Sequence, residues 1–283
     1  MKTFLLFKNQ KALCVIFMRL WREVLNCVES VRAYLRSSSV SYDVVGQNPF
    51  GDVSKSFDVE AERIVEKCLA QVLGEVAFLS EETGLLISKN PKWIAIIDPV
   101  DGSTNFAYEI PWASISLAIA PYKKGARVRD VELAIVAEVF RDVTYVYRDG
   151  LVEVLGGRQY SRRAQPAPIM LGYFENENSY KPLLKYASSH TKRLAIRSLG
   201  SAALDIVYVG LGNAEVFIDT RAKLRNVDVA AALRIATALG AKAIECSENL
   251  RDALDIEIDS EKRIGCLVAT YNDEQLKKVL ASL

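Results

Sequence analysis

Residues 98–106 read Asp-Pro-Val-Asp-Gly-Ser-Thr-Asn-Phe, directly after the apolar run Trp-Ile-Ala-Ile-Ile at 93–97. A short, β-branched apolar run bounded by turn residues reads as a buried strand. This one releases two carboxylates, a glycine and two hydroxyls within a few residues. Pro99 fixes the backbone after Asp98, so a tight turn would aim Asp98 and Asp101 at one point. If Gly102 opens a helix, the amides and hydroxyls of Ser103 and Thr104 form an anion seat with a favourable dipole.

Two other stretches place carboxylates at the ends of expected elements: Ser80-Glu81-Glu82-Thr83-Gly84, and Asp228 in Arg225-Asn-Val-Asp-Val-Ala-Ala. Convergence of such groups has a chemical use. Magnesium takes an octahedral shell of oxygen ligands and keeps several waters, so a few carboxylates and a backbone carbonyl suffice. Two ions about 3.5 to 4 Å apart can clamp the attacking and leaving oxygens of a displacement at phosphorus. A plainer reading competes: Asp-x-x-Asp-Gly is often a mere turn, and Asp228 near a helix start favours the dipole. A calcium EF-hand is excluded. Glu109 falls twelfth from Asp98, but Val100 and Ser103 occupy positions that need an oxygen ligand and a glycine.

Around these motifs the spacing predicts a layered α/β protein. Leu20, Trp21, Val24, Leu25, Val28, Val31 and Leu35 follow helical spacing over 18–36, and a polar loop with Gly46, Pro49 and Gly51 follows. A second helix should start near Asp58. Strands are expected at 93–97, 113–120, 131–140, 143–147 and 151–155, with antiparallel hairpins between some of them. Beyond the Pro166/Pro168 loop, strands and helices alternate: strands at 169–174, 194–197, 215–219, 243–246 and 266–270. Helices are expected at 181–189, from a Ser201 cap to 209, from an Asn226 cap to 239, and from 273 onward. The antiparallel-rich half spans about 18–160 and the alternating half about 161–283.

The chain has 283 residues, is 50% hydrophobic, and carries 36 basic against 35 acidic residues. No large positive field points to nucleic acid or an anionic membrane. Five cysteines (Cys14, Cys27, Cys68, Cys246, Cys266) show no Cys-x-x-Cys spacing, so a reducing cytoplasm is expected. The single histidine, His190, is expected at a solvated helix end. Residues 1–17 read as a start placed too early or a dispensable extension, with a short hydrophobic anchor as the alternative, because Lys8 and Lys11 break the apolar run. Gly210-x-Gly212 lacks the third glycine of a dinucleotide site.

Glu81-Glu82, the Asp98 to Phe106 stretch and Val227-Asp-Val-Ala-Ala-Ala together resemble the inositol monophosphatase family of magnesium-dependent, lithium-sensitive sugar phosphatases, over about residues 18–283. The resemblance implies an αβαβα sandwich with mixed sheets. It implies Glu81, Asp98 and the Val100 carbonyl as ligands of a first ion. Asp98 would bridge to a second ion held by Asp101 and Asp228, and a third, weaker ion would borrow Glu81. Two to three Mg2+ ions per site are therefore expected, with Mn2+ as a substitute. Ser103, where the family generally has threonine, would orient the attacking water with Asp58. The phosphoryl group would sit on Asp101, Gly102, Ser103 and Thr104, and sugar hydroxyls near Ser201 and Ala202. The family also implies a homodimer.

Arg221, in Asp219-Thr-Arg-Ala-Lys-Leu-Arg225, stands where inositol-preferring members commonly have glutamate. A guanidinium fork suits a second phosphate. This pattern is similar to the archaeal branch acting on both fructose 1,6-bisphosphate and inositol 1-phosphate, with Lys223 and Tyr173 as further candidates for the distal phosphate. The alternatives are a nucleotide-directed phosphatase acting on 3′-phosphoadenosine or NADP, and a non-catalytic RNA or transcription scaffold.

Overall fold

A computed structural model describes residues 20–157, 162–191, 193–247 and 249–283. The expectation for residues 1–17, and Cys14 with it, lies outside the described residues. Helix α1 covers 20–35. In chain order there follow β1 (Val44–Gln47), β2 (Val53–Lys55), α2 (Ser56–Leu73), β3 (Val76–Ser80), β4 (Gly84–Leu86), β5 (Trp93–Asp101), α3 (Ser103–Ala107), β6 (Ser114–Pro121), β7 (Leu133–Glu138), β8 (Thr144–Arg148) and β9 (Leu151–Leu155). The second half holds β10 (Ile169–Tyr173), α4 (Glu177–Ser188), β11 (Ala195–Arg197), α5 (Ala202–Leu211), β12 (Val216–Asp219), β13 (Leu224–Arg225), α6 (Asn226–Ala238), β14 (Lys242–Glu245), β15 (Arg251–Asp252), β16 (Arg263–Ile264), β17 (Leu267–Thr270) and α7 (Asp273–Leu280).

Five layers result. Helices α1 and α2 cover one face of a seven-stranded sheet ordered β4-β3-β5-β6-β7-β8-β9, in which only β3 and β5 run parallel. Its other face packs on α5 and α6, which in turn cover a six-stranded mixed sheet, β11-β10-β12-β17-β14-β15. Helices α4 and α7 close the far side. Strand β5 is buried along its whole length because both its faces are covered: Ile94 and Ile96 turn to α5 and α6, Ala95 and Ile97 to α2. Helix α2 buries Phe57, Ala61, Val65 and Leu69 at a spacing of four and leaves its other face wet. Helix α6 differs. It buries Val227, Val229, Ala230, Ala231, Leu233 and Ile235 all round, as a helix between two sheets must. A Cβ on Gly210 of α5 would stand 2.8 Å from Ala236 Cα, so this glycine serves close helix packing.

The structure corrects four expectations. The polar loop at Gly46 to Gly51 is the tip of a hairpin, β1 paired antiparallel with β2. Asn226 is the first residue of α6, not its cap; the cap is Arg225, whose amide donates to Asp228 Oδ2 at 2.7 Å. His190 is partly buried, its Nε2 2.7 Å from Glu215 Oε1 and its ring against Tyr186. Four cysteines are paired, Cys27–Cys68 between α1 and α2 and Cys246–Cys266 between the ends of β14 and β17. Their separations of 41 and 20 residues match no local motif, so nothing in the spacing announced them. Such bonds occur in oxidising compartments and inside hyperthermophiles, which removes the cysteine argument for a reducing cytoplasm. No helix among the described residues is long and apolar enough to cross a membrane.

Candidate active site

The opening stretch behaves differently from a strand followed by a turn. Strand β5 runs on to Asp101, paired with β6, but its register slips between Asp98 and Asp101. A bulge of this kind re-aims side chains without ending the strand. Asp98 accepts its own loop's Val100 amide at 3.0 Å. Gly102 then turns the chain at φ 92°, and a Cβ there would meet the carbonyl oxygens of Gly200 at 2.9 Å and Trp112 at 3.0 Å. Only glycine fits. Asn105 ties the same crossing together, donating to the carbonyls of Trp112 at 2.7 Å and Leu199 at 2.6 Å.

A cavity of about 220 Å³ opens at this place, lined by Glu81, Asp98, Val100, Asp101, Gly102, Ser103, Tyr173, Gly200, Ala202, Arg221, Leu224, Arg225 and Asp228. Carboxylates from three distant segments thus line it. Glu81 follows β3, Asp98 and Asp101 sit on β5, and Asp228 is in the first turn of α6. Asp101 reaches across to the N-terminus of α5, accepting from the amides of Ala202 at 3.1 Å and Ala203 at 2.8 Å and from the Ser201 hydroxyl.

The acids press on one another electrostatically. Burial, then Glu81, Asp101 and Asp228, pushes Asp98 far above the usual carboxylate range. Burial lifts Asp101 to about 6, although Ser201 and the α5 amides pull it down. Burial lifts Asp228 to about 8 against the opposing pull of Arg225. Asp58, in the first turn of α2 and outside the cavity lining, rises to about 8 through burial, Glu82 and Glu81. Oxygen donors alone, clustered with too little positive charge nearby, fit a hard divalent cation. Among the described residues no three His, Cys, Asp or Glu side chains are already closed into a metal cage. Arg225 stands between two of the carboxylates instead.

The cavity brings together Glu81, Asp98, Val100, Asp101, Gly102, Ser103, Ala202, Arg221, Tyr173 and Asp228 of the residues the sequence nominated. Others lie apart. Ser201 is fully buried and spends its hydroxyl on Asp101, so it does not face a sugar. Thr104 is exposed and outside the cavity lining. Lys223 is exposed too, its amine bound to Glu175. Tyr173 lines the cavity with its ring, while its hydroxyl donates to buried Asp205 at 2.7 Å, a partner shared with Trp112 Nε1 at 3.0 Å. Arg221 lies over that ring, its Cζ 4.6 Å from the centroid, and is held by Asp219 at 2.7 Å and Glu175 at 3.3 Å. Two residues escaped the sequence reading. Lys55, capping α2, brings Nζ to 3.5 Å from Ser103 Oγ, and Arg225 pairs with Glu81. Arg225 had a visible sign, a basic residue three before Asp228, but charge alone does not reveal a burial site.

Carboxylates clustered in one cavity with an anchored arginine fit a metal-assisted phosphatase. The inositol monophosphatase family model matches residues 14–282. The chain is 33% identical over 230 residues to an inositol-1-monophosphatase of Aeropyrum pernix, covering 78% of this chain and 82% of the relative. It is 28% identical over 256 residues to a fructose-1,6-bisphosphatase/inositol-1-monophosphatase of Methanocaldococcus jannaschii, covering 90% and 94%. A solved structure described as an inositol monophosphatase–fructose 1,6 bisphosphatase superposes with a TM-score of 0.73 at 24% identity, covering 94% of this chain and 98% of that one. The protein belongs to the inositol monophosphatase family and is a phosphoric monoester hydrolase.

Proposed function

We propose that this chain hydrolyses sugar phosphates with Mg2+, taking both fructose 1,6-bisphosphate and inositol 1-phosphate. The observation that carries this reading is a single cavity lined both by Glu81, Asp98, Asp101 and Asp228 and by Arg221, which is stacked on Tyr173. Glu81, Asp98, the Val100 carbonyl, Asp101 and Asp228 would hold two to three ions, with Mn2+ as an alternative. When bound, these ions acidify a water and offset the charge of the phosphoryl group. The chain's own contribution is position. Asp101 is fixed by the α5 amides, and Asp98 by the β5 bulge. Ser103 and Asp58 orient the attacking water, and Lys55 lends Ser103 a cationic neighbour. Because a phosphate dianion repels its nucleophile, neutralising and placing charge accounts for most of the rate.

Arg221 would receive the distal phosphate. Its fork is already spread by Asp219, whose side chain is 2% exposed, so little conformational entropy is lost on binding. Homodimer formation and a cytoplasmic location belong to this reading as family-based expectations. The test is phosphate release from a panel of fructose 1,6-bisphosphate, inositol 1-phosphate, 3′-phosphoadenosine nucleotide and NADP, with and without Mg2+. Turnover confined to the nucleotides would overturn the substrate assignment. No turnover of any ester, with binding of RNA intact, would favour the scaffold reading.

A further inference from the structure

Asp205 is the buried acid that the proposed chemistry leaves unused. It lies in the first turn of α5, 0% exposed, and both its carboxyl oxygens are engaged. Oδ1 accepts from Trp112 Nε1 at 3.0 Å and Oδ2 from the Tyr173 hydroxyl at 2.7 Å. These two donors come from different sheets. Trp112 leads into β6 of the seven-stranded sheet, and its carbonyl accepts from Asn105 at 2.7 Å beside the Gly102 turn. Tyr173 ends β10 of the six-stranded sheet and carries Arg221, whose Cζ lies 4.6 Å from the ring centroid. The same turn of α5 gives the amides of Ala202 and Ala203 to Asp101. One helical turn thus ties together the acidic lining, the Gly102 turn and the ring under Arg221.

We propose, resting on the reading of Arg221 as the seat of a distal phosphate, that Asp205 is a positioning residue for substrate choice: it holds the Tyr173 ring, and through the ring sets where Arg221 stands relative to Asp101. Asp219 cannot do this alone. It grips the Arg221 fork at 2.7 Å from the end of β12, so it anchors the arginine to the six-stranded sheet, while Asp98 and Asp101 belong to the seven-stranded one. The bonds of Asp205 cross between the two sheets. A guanidinium is drawn to the face of an aromatic ring, so the ring's orientation guides the fork. A phenol bonded at its far end to a buried carboxyl group keeps one orientation; without that bond it can turn about its side-chain torsions. A bisphosphate spans both linings and a monoester needs only the acidic one, so the tie matters for the bisphosphate alone.

Steady-state kinetics with Mg2+ on fructose 1,6-bisphosphate and inositol 1-phosphate read the consequence. Asp205→Ala should raise KM for the bisphosphate about tenfold, with kcat and the KM for the monoester within about twofold. Asp205→Asn can accept from Trp112 and donate to the Tyr173 oxygen, so it should restore the wild-type KM. Tyr173→Phe removes one hydroxyl and should match the rise in Asp205→Ala; it gives an answer even if that variant fails to fold. A rise shared equally by both esters is what a merely structural role would produce, and it would overturn the proposal, as would no rise in either variant. A second readout needs no turnover. In protein isotope-labelled on arginine nitrogen, the Nε–H resonance of Arg221, assigned by its loss in Arg221→Lys, should shift in Asp205→Ala and Tyr173→Phe and hold in Asp205→Asn. If the wild type leaves fructose 1,6-bisphosphate intact, the substrate reading falls by itself and this resonance decides the positioning: no shift in either variant would overturn it.

Discussion

The acidic and the basic lining of the cavity are built on opposite principles. Asp98 and Asp101 are buried in the sheet and Asp228 is partly buried in the first turn of α6, all three anchored by backbone amides. Arg221 sits in the segment between β12 and β13, with a side chain 19% exposed and partners that reach Glu175 at the surface. A buried acid cluster raises its own proton affinity and is costly unless a cation joins it; Arg221 already has its counter-charge, paired with buried Asp219 and stacked on Tyr173. The comparison teaches that the acids are fixed by layers of the fold, whereas the arginine is carried by a short segment between two strands.

Asp98→Asn challenges the acidic lining most severely. If this carboxylate holds the ions, its loss should cut phosphate release by about a thousandfold or more, several kcal/mol of barrier, with the fold retained by circular dichroism. A tenfold change or less would mean that Asp98 is a turn residue. Reduction of the disulfides examines whether rigidity away from both linings matters. By loop entropy each bond contributes about 3–4 kcal/mol, so reducing agent should lower the unfolding midpoint and leave turnover at low temperature intact. The basic lining is tested by Arg221→Glu, which should lower turnover of fructose 1,6-bisphosphate about ten- to a hundredfold and leave inositol 1-phosphate within a few-fold. Equal losses on both would remove Arg221 from specificity.

The smallest effect concerns pH. Burial pushes Asp205 up to about 8 despite the bonds it accepts from Tyr173 and Trp112. The native chain holds this proton between about pH 4 and 8 while the unfolded chain has released it, so the group's stabilising contribution is full below about pH 4 and declines as pH rises toward 8. Asp205→Asn should flatten the dependence of the denaturant midpoint on pH across that window. An unchanged slope would show that Asp205 is ionised in the native protein.

Much of this was legible from residue order. Helical spacing and β-branched runs placed most of both sheets, because periodicity reports which face is covered. The acidic residues were visible because each falls near the boundary of an expected element. What escaped had no local signature. Ser201 looked like a helix cap facing a ligand, yet its hydroxyl goes to Asp101, a hundred residues earlier, and no cap bond forms. The β1–β2 hairpin hid in a polar stretch whose β1 residues are all exposed, so no alternation marked it. Arg225 carried no sign of its burial, since that depends on Asp52, Glu81 and Phe50 meeting it from elsewhere in the chain.

The central claim is that acids from separate segments act as one cation site. Calorimetric titration of chelator-stripped wild type and Asp228→Asn with Mn2+ tests it most directly. The account predicts at least two ions per wild-type chain and the loss of one or more in the variant. An unchanged stoichiometry and affinity in Asp228→Asn would contradict it.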